Sequence, residues 1–299
     1  MDMRQMKYFL AIAREGQVTR AAKQLNMEQP PLSRQLKLME EELGVRLFDR
    51  TPKRLNLTEA GELLRQRAEI LLAQFDETIK EVKEIEEGVR GVLSLGSVVS
   101  CISLLPHRIQ LFRETYPQVT FKILEGDHIY LGELLQKRVI ELVVARLPFE
   151  AITHIDHCEV LSLPSDPYVA VIPSSWTSQI GKKTVQMKEL AHFPFLTLKT
   201  DKTTRMHEQV MNECKRHGFQ PNIICECSSV AIIMSLVASG IGATIFPKSV
   251  ISSYPVSVVQ MLDIEDADFQ SEVGIVWLKD HYLSKSAQRF IDSFRERFI

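Results

Sequence analysis

Thr19-Arg20-Ala21-Ala22-Lys23-Gln24-Leu25-Asn26-Met27-Glu28-Gln29-Pro30-Pro31-Leu32-Ser33-Arg34-Gln35-Leu36-Lys37 is the stretch on which the fold turns. Ala21, Ala22 and Leu25 are spaced as the inner face of a short helix running from Thr19 to Leu25. Asn26-Met27-Glu28 reads as a tight turn. Gln29-Pro30-Pro31 opens the next helix, because a proline in a first turn lacks only an N–H that has no partner there. Leu32, Leu36, Met39 and Leu43 recur at helical spacing and give one buried stripe, and Gly44 closes the helix. The opposite face then carries Gln29, Ser33, Arg34 and Lys37.

Outward from this pair the pattern stays coherent. Upstream, Met6, Phe9, Leu10 and Ala13 mark a helix that ends near Glu15-Gly16. Downstream, Leu47-Phe48 and Leu55-Asn56-Leu57 read as short strands around the basic loop Asp49-Arg50-Thr51-Pro52-Lys53-Arg54, the layout of a wing. Thr58 is placed to cap a long helix that runs to about Glu87. Its apolar positions, Leu64, Ala68, Leu71, Phe75, Ile79 and Val82, form a narrow near-heptad stripe about 45 Å long at 1.5 Å per residue. A small domain offers that stripe no partner surface, so it is expected to pair with a second chain; packing on its own domain is the alternative.

Two short helices, a turn and a polar-faced helix match a helix-turn-helix. Gln suits adenine, Arg suits guanine, and Ser suits a base or a phosphate. Arg50, Lys53 and Arg54 would reach the DNA backbone or the minor groove. Read alone, the same residues also fit a solvated helix face and a charged turn.

The charge distribution agrees with the first view. The 299-residue chain has a net charge of −2. Residues 1–60 hold eleven Lys/Arg and eight Asp/Glu, a balance of +3, and the remainder holds 25 basic and 30 acidic residues, a balance of −5. Hydrophobic residues at 45% and charged residues at 25% exclude a largely disordered chain. No apolar run is long enough to span a membrane, and Met1-Asp2-Met3-Arg4-Gln5-Met6-Lys7 lacks the build of a secretory signal, so a cytoplasmic protein is expected. Cys101, Cys158, Cys214, Cys225 and Cys227 form no paired framework and read as reduced thiols. Cys225 and Cys227 would face one side of a strand as small core residues rather than as metal ligands. His154-Ile155-Asp156-His157-Cys158 lacks a second cluster at zinc spacing and reads as a surface loop.

From Val92 onward, strands alternate with helices. Strands are expected at Val92–Gly96, Val119–Leu124, Ile140–Ala145, Tyr168–Ile172, Phe195–Leu198, Ile223–Cys227, Ala243–Pro247 and Glu272–Leu278. Helices are expected at Leu104–Tyr116, Ile129–Lys137, Thr203–His217, Val230–Ser239 and Lys285–Phe298. This alternation predicts mostly parallel sheets in two subdomains with a cleft between them. Ligands in such sheets sit beyond the strand ends, which selects Ser97 to Ser100, Gly126-Asp127-His128, Arg146 and Lys199 to Thr204. No phosphate loop, dinucleotide fingerprint, nucleophile elbow or HExxH motif occurs. Cys101, near the end of the first strand, reads as buried packing rather than as a nucleophile paired with His107 or His128.

The run Met6-Lys7-Tyr8-Phe9, then Thr19 to Asn26, Gln29 to Leu36, Leu43-Gly44-Val45-Arg46-Leu47-Phe48-Asp49-Arg50 and Leu57-Thr58-Glu59-Ala60-Gly61 resembles the N-terminal signature of LysR-type transcriptional regulators. Ala145-Arg146-Leu147-Pro148 and Gly240-Ile241-Gly242 with Phe246-Pro247 resemble segments of that family's effector domain. The resemblance implies an α+β multidomain protein: a winged helix-turn-helix over 1–58, a dimerising linker helix over 59–88, and an effector domain of periplasmic-binding-protein type over 91–299. Subdomain 1 of that domain would span 91–161 and 267–299, and subdomain 2 would span 162–266. It implies contacts with a double-stranded DNA operator through Thr19, Arg20, Gln29, Pro30, Pro31, Ser33, Arg34, Lys37, Arg50, Lys53 and Arg54. It further implies a bacterial regulator rather than an enzyme, a homodimer that assembles to a homotetramer, contact with RNA polymerase, no cofactor, and no metal. Similar regulators bind a small effector, here with a carboxylate as one candidate class, through residues that match Ser100, His128 and Arg146 by position. His128 stands where a hydroxyl is usual, and either donates to a carboxylate or is an uninvolved helix-start residue. Arg146 is either an effector contact or a structural ion pair. Thr203 and Thr204 are either effector contacts or simple helix caps.

Overall fold

The computed structural model describes every residue except 51–53, 88, 150–157, 177–182, 200–204, 252–257, 268 and 296–299. The chain divides into two compact units, Met1–Lys83 and Glu84–Ile299.

In the first unit, helices α1 (Met3–Glu15), α2 (Val18–Gln24) and α3 (Gln29–Leu43) precede strands β1 (Phe48–Arg50) and β2 (Leu55–Leu57) and helix α4 (Glu59–Glu87). Local chemistry sets the boundaries. Asp2 and Gln5 form a reciprocal capping box that starts α1. Gly16 ends α1 at φ 64° and Gly44 ends α3 at φ 70°, the left-handed conformation that carries no penalty in glycine. Asn26 takes φ 53° in the α2–α3 turn. Phe9, Ile12, Ala21, Ala22, Leu32, Leu36, Met39, Leu47 and Phe48 form the core of the unit. The β1–β2 hairpin pairs Phe48 with Leu57 and Arg50 with Leu55. The Leu55 N–H donates to the Gly16 carbonyl at 2.8 Å, which ties the wing to the α1–α2 corner.

The second unit runs, in chain order, β3 (Gly91–Val98), a 3₁₀ turn (Val99–Leu104), α5 (Leu105–Thr115), β4 (Val119–Gly126), α6 (His128–Gln136), β5 (Leu142–Arg146) and β6 (Cys158–Ser162). It continues with β7 (Asp166–Pro173), β8 (Thr184–Val185), β9 (Pro194–Leu198), α7 (Arg205–Arg216), β10 (Asn222–Cys227), α8 (Val230–Ala238), β11 (Thr244–Pro247), α9 (Lys248–Ile251), β12 (Val259–Ile264) and β13 (Gln270–Ser271). It ends with β14 (Val273–Leu278) and α10 (Lys285–Arg295). One half is a five-stranded sheet in the order β4-β3-β5-β14-β6. The other half holds β11-β7-β12-β8, with β13 on β7, and the pair β10-β9, where Phe195 of β9 forms an isolated parallel bridge with Ala243, the residue before β11.

The expectation of mostly parallel sheets needs correction. Strand β3 runs parallel to β4 and β5, β9 to β10, and β8 to β12. However, β14 runs antiparallel to β5 and β6, and β7 runs antiparallel to β11, β12 and β13. The reason lies in the connections. Crossover helices keep strands parallel within each half. Residues 163–165 alone join β6 to β7, and Glu272 alone joins β13 to β14, so the strands at these crossings enter their sheets from the opposite end.

Candidate functional site: a polar helix face and a buried ion pair

Leu32, Leu36 and Met39 are at most 4% exposed, which fixes the rotation of α3. That rotation leaves Gln29, Pro30, Pro31, Arg34 and Lys37 exposed and Ser33 half-buried on the other side. Thr19 and Arg20 are exposed at the start of α2. Lys37 meets Glu41 at 3.4 Å, an exposed i,i+4 pair that a phosphate can replace at small cost. Arg54 is exposed, and its side chain crosses over Gly16. Arg50 closes β1 by its backbone, and Lys53 lies outside the described residues.

Two supports of this face carry no periodic signal in the sequence. Gln5 Nε2 donates to Gln35 Oε1 at 3.2 Å and ties α1 to α3. Glu40 Oε1 accepts from the Leu47 N–H at 2.8 Å and fastens the last turns of α3 to the wing. The sequence marks Thr58 more openly. Its hydroxyl donates to the Arg46 carbonyl at 2.8 Å and accepts from the Gly61 N–H at 3.0 Å, as an N-cap does. A Cβ on Gly61 would run into the Leu47 carbonyl oxygen, so only glycine lets α4 approach the wing this closely.

Along α4, Ala68 is buried and Leu64 packs on the first unit's core. Beyond them Leu71, Phe75, Ile79 and Val82 are 42%, 44%, 43% and 61% exposed. An apolar row of this length facing water has no covering surface among the described residues of its own unit.

In the second unit the selected positions fall on two halves. Ser100, in the 3₁₀ turn after β3, is buried. His128 opens α6, is buried, and packs its ring 5.1 Å from that of Phe149. Asp127 caps α6 by accepting from the Tyr130 N–H at 2.7 Å. Thr203 and Thr204 lie outside the described residues, as do His154 and His157. Arg146 ends β5 with its side chain 10% exposed. Its Nη1 donates to Asp166 Oδ2 at 2.8 Å, Nη2 to the Ser100 carbonyl at 2.7 Å and to Ser249 Oγ at 3.1 Å, and Nε to Ser100 Oγ at 3.4 Å. Asp166 Oδ1 accepts from the Ser249 N–H at 3.0 Å, and Oδ2 accepts from the Ser249 hydroxyl. The structure therefore brings Ser100 and Arg146 together and adds Asp166 and Ser249, which sequence reasoning missed. The one hint was a lone acid opening an otherwise apolar strand, Asp166-Pro167-Tyr168-Val169-Ala170-Val171-Ile172.

Around this network, Tyr168 stacks on Phe269 at 4.3 Å and donates to Gln209 Oε1 at 2.9 Å. Burial pushes its hydroxyl up to about 12. His207 Nδ1 lies 2.8 Å from Thr197 Oγ1, and burial, with Lys199 nearby, lowers its pKa. Cys101 is fully buried and held at about 11 by desolvation, a packed thiol rather than a nucleophile. Cys225 and Cys227 are half-buried on one side of β10 and pack against a core cluster. Among the described residues no group of three or more His, Cys, Asp or Glu is placed to hold a metal.

Comparison with known proteins gives two family matches. A model described as "Bacterial regulatory helix-turn-helix protein, lysR family" matches residues 3–62, and one described as "LysR substrate binding domain" matches residues 86–299. The HTH-type transcriptional regulator BsdA of Bacillus subtilis (strain 168) is 38% identical over 295 residues, covering 98% of this chain and 100% of that protein. Full-length CbnR in complex with its target DNA superposes with a TM-score of 0.76 at 22% identity, over 99% of both chains. A full-length OxyR variant from Pseudomonas aeruginosa gives 0.70 at 24% identity, over 99% of this chain and 95% of that one.

Proposed function

The chain belongs to the LysR family of transcriptional regulators, and we propose from that premise how its parts divide the work. A member of this family binds DNA through its helix-turn-helix and an effector through its substrate-binding domain, and is not an enzyme. In the proposal, Gln29, Ser33, Arg34 and Lys37 on α3 enter the major groove. Thr19, Arg20, Pro30 and Pro31 set the approach, and Arg50, Lys53 and Arg54 hold the flanking backbone or minor groove. The observation that carries this reading is the exposed polar face of α3, opposite a stripe buried to within 4%. Residues 1–58 form the DNA head, 59–88 the linker, and 91–299 the effector domain, split into 91–161 with 267–299 and 162–266.

The exposed row Leu71, Phe75, Ile79 and Val82 supports a homodimer through α4, with two dimers forming a tetramer on DNA. RNA polymerase is the partner for activation, and the cytoplasm is the site of action. No described helix is long and apolar enough to cross a membrane.

The effector is a small molecule with a carboxylate, held by Ser100, His128 and Arg146 from one half and by Thr203 and Thr204 from the other. Binding matters only if it favours one arrangement of the halves over another. Arg146→Ala should leave operator affinity intact in a gel-shift assay and abolish the response to whichever member of a metabolite panel shifts the wild-type complex. A normal response in the variant removes Arg146 from the site.

A further inference from the structure

We propose that the Arg146–Asp166 ion pair is an exchangeable latch across the seam between the two halves of the effector domain, and that an anionic effector works by taking Asp166's place on Arg146. The inference rests on the reading of Arg146 as an effector contact. The pair sits where the chain passes between the halves, so such a device has leverage there. Arg146 lies opposite Val273 in the β5–β14 register, and Asp166 lies opposite Ser271 in the β7–β13 register. The two residues therefore flank Glu272, where the chain crosses from one half to the other. Ser249 brings the start of α9 to the same point.

Buried ion pairs are costly to break because each charge is left without compensation. Here both partners keep a fallback. Without Asp166, Arg146 still donates to the Ser100 carbonyl at 2.7 Å and to Ser100 Oγ at 3.4 Å, both in its own half. Without Arg146, Asp166 still accepts from the Ser249 amide at 3.0 Å and from the Ser249 hydroxyl, both in its own half. A carboxylate arriving at Arg146 restores the charge balance there, because it is the same acceptor group that it displaces. What changes is that the ion pair across the seam is gone, leaving the weaker Arg146 Nη2–Ser249 Oγ bond between the halves. The ligand thus has a differential affinity for the arrangement with Asp166 released, which is what a population shift requires.

The test uses the full chain, with acetate as the probe and chloride at equal ionic strength as the control. Hydrogen–deuterium exchange of β7 and α9 is followed across the titration. Asp166→Asn removes the competing charge and should respond at an acetate concentration about tenfold lower than wild type. Ser249→Ala keeps the backbone N–H but removes the hydroxyl, which donates to Asp166 Oδ2 and accepts from Arg146 Nη2. With its side-chain fallback gone Asp166 stays on Arg146, and the midpoint should shift several-fold in the opposite direction. Arg146→Gln should abolish the response. Opposite shifts support exchange, because a merely structural pair would loosen in the same direction in both variants. Shifts of one sign, or midpoints within about twofold of wild type, overturn the latch while leaving the effector reading intact. An acetate response that survives Arg146→Gln overturns both. If Asp166→Asn fails to fold, the direction of the Ser249→Ala shift decides alone.

Discussion

Gly61 is the residue at which the sequence and the packing are least negotiable. It sits in the first turn of α4 against the Leu47 carbonyl, and Thr58 caps the same turn. Gly61→Ala must move either the wing or the helix, and overpacking of this kind costs about 1–3 kcal/mol. Thermal unfolding of the variant should show the melting temperature fall by several degrees; an unchanged melting curve would mean that α4 does not press on the wing. Cysteine chemistry gives a second check at this scale. Burial holds the Cys101 thiol at about 11 and the Cys214 thiol at about 12. At pH 8 both are therefore protonated as well as shielded, and they should resist iodoacetamide in the native protein and react after denaturation. Rapid native labelling of either, read by mass spectrometry of the peptides, would contradict the burial.

At the scale of elements, helices were legible and their partners less so. The α3 stripe was readable because Leu32, Leu36 and Met39 recur with the helical period and Gly44 gives the stop. The face opposite follows from that rotation alone, so the DNA-reading candidates could be named from sequence. Strand direction was not readable in this way. The apolar run of β7 looks the same whether its neighbours are parallel or antiparallel, and only the short crossings at 163–165 and Glu272 decide. The Arg146 network was half visible. Strand-end logic selected Ser100 and Arg146, but Asp166 and Ser249 lie 20 and 103 residues from Arg146 and carry no local pattern that joins them. The α4 stripe makes a prediction at this scale. Placing a charge in the exposed row by Phe75→Glu desolvates a carboxylate wherever two rows meet. If α4 carries the proposed pairing, sedimentation at micromolar concentrations should find the wild type dimeric and the variant monomeric. An unaltered sedimentation coefficient would move the dimer contact elsewhere.

At the scale of the whole molecule, reading DNA and sensing an effector fall to different parts of one chain, and the pairing proposed for α4 would let two copies read one operator together. Two half-sites read by a symmetric pair multiply a modest recognition at each, since a good base contact is worth about 1–3 kcal/mol. The placement of the half-sites then reports the spacing of the α3 helices directly. The measurement that bears most closely on this is a hydroxyl-radical footprint on the DNA upstream of the protein's own gene, run with wild type and with Arg34→Ala. Two protected patches on one face of the duplex are expected, separated by a whole number of turns, with the variant weaker by about 1–3 kcal/mol and less selective at one base pair in each patch. A single patch, or protection that Arg34→Ala leaves unchanged, would contradict this expectation.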